Sequence, residues 1–215
     1  KINCYFFKKT KFLLERYKYK MEKLILDVGC GNNKVKDSIG MDIVALDQVD
    51  VVHDILKTPY PFDNEKFKTI YLRHVIEHFT IEEIKKILSE CYRILSNDGT
   101  LIISVPHAFS LAAYTDVTHK TFFTFNSGKF FDKDHSKSYY NTNSNFKYKL
   151  IKIDCRVCWF DWKSRLSRKI DFILSNFIKS RLMNALKKNY NPSLADRIVK
   201  ANSYQFIEIR WVYKK

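Results

Sequence analysis

Two histidines four residues apart with a glutamate beside the second, His74-Val75-Ile76-Glu77-His78, stand out for chemistry in this chain. In isolation His-x-x-Glu-His is the order of an inverted zinc peptidase, where two imidazoles on one helix face chelate the ion. The context argues against it. A peptidase carries this pair inside a long helix, whereas "TIYLR" before it reads as a strand. His107, directly after Pro106, and His119, in "THKTFFTFNS", are the histidines placed to act as a general base. His53 reads as a strand cap, and His135 falls in a polar loop with no partner in view. Cys155 and Cys158 form a lone C-x-x-C on a strand, where an odd separation sends the two side chains to opposite faces and argues against a metal or redox pair.

A second group of residues gathers around a glycine loop. In "DVGCGNN", Gly29 and Gly31 follow an apolar run, so backbone can approach a ligand and turn without a side chain between. No Gly-Lys-Ser/Thr follows, which excludes a P-loop, and the third glycine of a dinucleotide loop would fall on Lys34. Asp42 can accept two hydrogen bonds from a ribose diol, and Asp54 can take an adenine amino group. An acidic cleft of this kind also suits a positively charged sulfonium.

These residues need a frame that brings them to one edge. "KLILDVG", "SIGMDIV", "VDVVHDI", "KFKTIYLR" and "GTLIISVP" read as five short strands, with a turn on Asp98-Gly99 before the fifth. "TIEEIKKILSECYRIL" reads as a helix with Thr80 as N-cap and Glu83 three residues on. Strands alternating with helices predict an α/β, doubly wound, mostly parallel sheet, in which ligands bind beyond the carboxyl ends of the strands. Asp27, Asp42, Asp54, His74 and His107 all fall at such ends. "YKLIKIDCRVCWF" and "YQFIEIRWVY" add two strands, and residues 162–189 between them read as a basic amphipathic helix with Leu166, Ile170, Ile173 and Phe177 on its apolar face.

The 215 residues fit one domain over 21–215, with a helical insertion at about 160–200 and a basic appendage or helix over 1–20. Five irregularly spaced cysteines argue against a disulfide framework, and no apolar run is long enough to span a membrane, so a cytoplasmic location is expected. The net charge of +15 is uneven: +6 over residues 1–20, −4 over 21–128 and +13 over 129–215. A basic back half suggests an anionic partner such as nucleic acid, a membrane surface or a phosphorylated substrate, against the alternative of a solvated lysine-rich face.

Taken in order, "LILDVGCGNNK", "GMDIV", "VVHDI", "FDNEKFKTIYLRHVIEHF" and "CYRILSNDGTLIISVPH" resemble the class I S-adenosylmethionine-dependent methyltransferases of the type 11-like group, over roughly residues 22–128 and again at the final strand. The resemblance implies a Rossmann-like seven-stranded sheet with an antiparallel last strand. It also implies that Asp27, Gly29 and Gly31 hold the methionine part of S-adenosyl-L-methionine, Asp42 the ribose, and Asp54 with Ile55 the adenine, with Arg73 a further cofactor-binding residue. Asn33 replaces a frequent third glycine and is expected to enter the left-handed region, while only ten residues between Gly31 and Asp42 imply a shortened first helix, with Asp47 as reserve for the ribose contact. "THKTFFTFNS" is further similar to a segment of the small-RNA 2′-O-methyltransferases, which implies Glu77, His78 and His119 as ligands of a divalent metal, with His74 where that family has a glutamate. The expected activity is methyl transfer to an oxygen or nitrogen of an unidentified acceptor, with His107 or His119 as base. The alternative is a non-catalytic module that binds S-adenosylmethionine and docks RNA or a membrane through its basic half.

Overall fold

The computed structural model describes residues 24–135, 145–158, 176–177, 179–186, 192–200 and 206–215. Residues 1–20 and the predicted apolar positions Leu166, Ile170 and Ile173 lie outside them. The strands are β1 (Ile25–Val28), β2 (Ile39–Asp42), β3 (Val51–Val52), β4 (Phe67–Arg73), β5 (Leu95–Pro106), β6 (Lys149–Cys158) and β7 (Phe206–Lys214). They form one sheet in the order β3-β2-β1-β4-β5-β7-β6. β7 runs antiparallel to both β5 and β6, and the remaining pairs are parallel. This is the Rossmann-like arrangement expected, with the chain order reversing at β1 and β4, where the crevice for a ligand opens.

Between the glycine loop and β2 the chain makes only turns, so the first helix is absent rather than shortened. The helix α1 (Ile81–Ile94) follows β4. Its residues Ile84, Ile87, Leu88, Cys91 and Ile94 recur at three- and four-residue steps, which puts them on one face, and all are buried. The predicted capping box is present: Thr80 N–H donates to Glu83 Oε2 (2.8 Å) and Glu83 N–H to Thr80 Oγ1 (3.4 Å). The Asp98-Gly99 turn lies inside β5 as a register shift opposite Phe67–Thr69, with Asp98 at φ 60°.

The far end of α1 also places the site. Glu90 accepts the Tyr60 N–H (2.8 Å), and the Arg93 guanidinium donates to the carbonyls of Tyr60 and Phe62 and to Asn64 Oδ1. Tyr60 is buried and its hydroxyl donates to the Ile55 carbonyl (2.9 Å), so the loop carrying Asp54 and Ile55 is pinned to the helix.

Within "TFFTFNSGKFF", Phe125–Phe131 form a 3-10 turn under β7. There the Trp211 indole donates to the Phe125 carbonyl (3.3 Å) and the Tyr213 hydroxyl to that of Gly128 (2.7 Å). Two short helices, α2 (Ala112–Thr115) and α3 (Pro192–Lys200), flank this region. Residues 179–186 are helical too, with Leu182, Ala185 and Leu186 buried, while Phe177, placed on the apolar face by the sequence, is 59% exposed with Arg181 against its ring.

A Cβ at Gly128 would lie 2.6 Å from the Trp211 Nε1, in a place where neither the indole nor the turn can yield cheaply. Gly128→Ala should therefore destabilise the fold by about 1–3 kcal/mol, read as a lower urea midpoint at unchanged slope. Thr80→Ala, which removes the cap alone, should lose about 1 kcal/mol in the same measurement.

Candidate functional site

The glycine loop turns where β1 ends. Gly29 has φ 66° and Gly31 φ 51°, a region that side chains rarely occupy. A Cβ on Gly29 would meet Val75 at 2.5 Å, so it is needed for close approach as well, whereas the space beside Gly31 is open. The Gly29 N–H donates to the Met41 carbonyl (2.7 Å), which folds the loop over the end of β2. Asn33 does not enter the left-handed region: among the described non-glycine residues only Asp37, Glu65, His74 and Asp98 have positive φ. The loop closes on Arg73 instead, which donates to the Asn33 carbonyl.

A cavity of about 430 Å³ opens beside this loop, lined by residues of four loops that include Gly29, Asp42, Ile43, Asp54, Ile55 and His74. Asp42 uses one carboxylate oxygen for the Gly31 N–H (2.9 Å) and the other for the Val44 N–H (3.1 Å), so each keeps a lone pair for a ligand. Asp54 accepts the Leu56 N–H at Oδ1 (3.0 Å), and no hydrogen bond to its Oδ2 is made by the described residues. Ile43, 63% exposed, forms an apolar lip opposite Ile55. Asp47 is exposed and does not line the cavity. Asp50, which the sequence reading passed over, accepts the Gly40 N–H (2.7 Å) and pairs with Lys34 (2.6 Å), bracing the β2 edge beneath Asp42.

Asp27 and Arg73 stand elsewhere. The Asp27 carboxylate is wholly buried, accepts the Val35 N–H (2.8 Å) and is paired with Arg73 (2.6 Å). Neither residue lines the cavity. They shape the loop that does.

The segment that opened the sequence reading forms the far wall. His74 sits at φ 55° and Ile76–His78 form a 3-10 turn, so the peptidase helix is not made. His74 Nε2 lies 3.2 Å from Glu208 of β7, and its Nδ1 lies 3.4 Å from Glu77. Hydrogen bonding to Glu208 first, and to Glu77 second, raises the His74 pKa to about 9 against the opposing effect of burial. The contact to Glu77 is too long and poorly directed to satisfy that carboxylate, which is 1% exposed with both oxygens orphaned.

One ligand atom from each of Glu77, His78 and His119 lies within 4.8 Å of the other two. The hydrogen bonds fix both tautomers. His119 Nδ1 is 2.8 Å from the Ala113 carbonyl and must donate to it. His78 Nδ1 is 2.8 Å from Thr118 Oγ1, which itself donates to Asp116 (2.6 Å) and so accepts from the ring. Each Nε2 therefore keeps its lone pair. Tyr114, 61% exposed, stacks on Phe122 beside this cluster.

His107 is not at the cavity. It is fully buried, its Nδ1 accepts the Phe109 N–H (3.1 Å) and its Nε2 is 2.9 Å from Asp196 of α3. Both ring nitrogens are engaged, so His107 ties α3 to the end of β5 and is not poised as a base. His53 bonds the Lys57 carbonyl through Nε2 (2.8 Å), and the His135 ring packs on Phe130. Cys155 is buried as a free thiol, and the Cys158 side chain lies outside the described residues.

Residues 26–103 match a family model described as a methyltransferase domain. A search of the curated proteins finds no match to the sequence. Among solved structures, a SAM-dependent methyltransferase from Archaeoglobus fulgidus is similar at 19% identity and a TM-score of 0.51, covering 97% of this chain and 94% of that one. A SAM-dependent methyltransferase from Methanosarcina mazei aligns at 11% identity with a TM-score of 0.47, over 89% of this chain and 91% of that one. The matched stretch runs from β1 through β5 and contains the glycine loop, Asp42, Asp54 and the His74–His78 wall. Residues 26–103 are thus similar to a methyltransferase domain, and they lie in a sheet of Rossmann-like order.

Proposed function

We propose that the protein transfers the methyl group of S-adenosylmethionine to an oxygen or nitrogen nucleophile presented at the His74–His78 end of the cavity. The observation that carries this reading is the distribution of unused bonding capacity along one cavity. Asp54 and Asp42 retain acceptor lone pairs on one side of it and His78 Nε2 retains its own on the other, with the His119 ring 4.9 Å from that of His78 and outside the lining. The residues fit the cofactor: the Ile43 lip and Ile55 suit a flat ring beside Asp54, Asp42 suits a diol, and the open space at Gly31 admits the amino-acid end. Methyl transfer is a displacement in which the acceptor lone pair forms the new bond to carbon as the carbon–sulfur bond breaks. The chain's task is alignment and, for a hydroxyl acceptor, removal of a proton. With His107 sealed in, His119 is the base this reading keeps for the ion-free protein, since its one free lone pair, on Nε2, cannot take a proton and hold an ion at once.

The finer part of the proposal is a divalent ion at Glu77, His78 and His119. A buried carboxylate with neither oxygen hydrogen-bonded, and only the His74 ring beside it at 3.4 Å, is incompletely answered. A cation there would complete the answer, with two imidazoles favouring a manganese-, iron- or zinc-type ion over magnesium. Such an ion would supply positive charge that makes an acceptor hydroxyl more acidic.

Calorimetry separates these statements. Asp42→Ala and Asp54→Ala should each weaken S-adenosylmethionine binding by about tenfold or more, and unchanged affinity in both would remove the cofactor assignment. Manganese or zinc should bind with one-to-one stoichiometry and raise the melting temperature, and Glu77→Gln should abolish both effects while leaving cofactor binding in place. If the metal-free protein neither binds nor is stabilised by these ions, the ligand set is refuted.

A further inference from the structure

A second cavity, of about 200 Å³, lies on the other side of Glu208 and is lined by Asp154, Cys155, Arg156, Lys179, Glu208 and Arg210. We infer that it is an anion subsite, which holds a phosphate monoester or sulfate group carried by the methyl acceptor. The inference rests on the proposed methyl transfer for the acceptor's role, but not for the existence of the anion site.

The strand register builds the cavity. Asp154 pairs with Arg210 and Arg156 with Glu208 across β6 and β7, and a two-residue step along each strand keeps all four side chains on one face. Lys179 reaches the same space from the helical residues 179–186. Three cations and two carboxylates are thus collected there, and the hydrogen bonds show which are already satisfied. Asp154 takes Lys152 Nζ (3.1 Å) and the Cys155 N–H (2.8 Å). Glu208 takes His74 at Oε2 (3.2 Å). The cations are left over. Arg210 has only a 3.8 Å approach to Glu208, and among the described residues no hydrogen bond or ion pair is made by the Arg156 guanidinium or the Lys179 ammonium.

The lining carries three cations against the carboxylates of Asp154 and Glu208, and because these already accept from Lys152, the Cys155 N–H and His74, the guanidiniums and the ammonium are the groups left to meet an anion. Two guanidiniums and an ammonium are also the donor set that matches tetrahedral oxyanion geometry. The location gives the site its purpose. Glu208 walls this cavity and at the same time holds His74, which lines the first cavity. An acceptor anchored by its anionic group beside Arg156 and Arg210 would therefore reach the methyl-transfer end within one side chain's distance, and the anchoring group would set which acceptors are accepted.

The test uses the full chain and inorganic phosphate, followed by calorimetry, with the exposed pair replaced as Arg156→Ala/Lys179→Ala. Wild type is expected to bind phosphate and sulfate at one site, and the double variant to bind them about tenfold or more weakly at an unchanged melting temperature. S-adenosylmethionine affinity should be equal in the two proteins, and Asp42→Ala should show the reverse pattern, so failure of the cofactor reading and failure of this one are distinguishable. Phosphate binding that is absent, or equal in wild type and double variant, would overturn the inference. So would a short oligoribonucleotide or anionic vesicles binding through Arg156 and Lys179 where inorganic phosphate does not.

Discussion

The pairing of buried Asp27 with half-buried Arg73 is the interaction on which the glycine loop depends. Asp27 sits near the end of β1 with no exposed surface, and an isolated carboxylate there would be prohibitively expensive. Arg73, at the end of the neighbouring β4, answers it at 2.6 Å, and the Val35 N–H answers it again from the far side of the glycine loop. Since Arg73 also holds the Asn33 carbonyl, one guanidinium joins two strand ends and both limbs of the loop. The loop needs this because the first helix, which elsewhere in such sheets would carry it, is replaced by turns.

A division of labour among the acids follows from their hydrogen-bond partners. Asp27 and Asp50 spend their bonding capacity inside the protein, while Asp42 and Asp54 anchor local backbone and still face the cavity with lone pairs to spare. The histidines divide in the same way. His107 has both nitrogens engaged and serves packing, whereas His78 and His119 are each fixed through Nδ1, so that Nε2 is the atom left to act. A hydrogen bond at one nitrogen sets the chemistry of the other.

Glu208 links the two halves of the molecule. It lies on β7, pairs with Pro106 of β5 and Arg156 of β6, and reaches His74 at the end of β4. The antiparallel last strand, in structural terms only the filler between β5 and β6, therefore delivers a carboxylate to His74 in the wall of the first cavity and bounds a second cavity behind it. No helix among the described residues is long and apolar enough to cross a membrane.

The sequence by itself determined the sheet, the capped helix and the glycine loop, because each rests on local physics. Short apolar runs ending in Asp and Gly make buried parallel strands, Thr80 and Glu83 satisfy one another across a single turn, and glycines at 29 and 31 allow positive φ. The positions of Asp42, at the end of β2, and Asp54, two residues past β3, were legible for the same reason. Tertiary structure alone decided which charged groups are free. Asp27 reads like the other acids until Arg73 arrives from 46 residues away, and His107 looks available until Asp196 arrives from 89. The Glu208–His74 contact spans 134 residues. A side chain's reactivity depends on what remains of its bonding capacity after folding, and that remainder is set by partners that no local pattern can name.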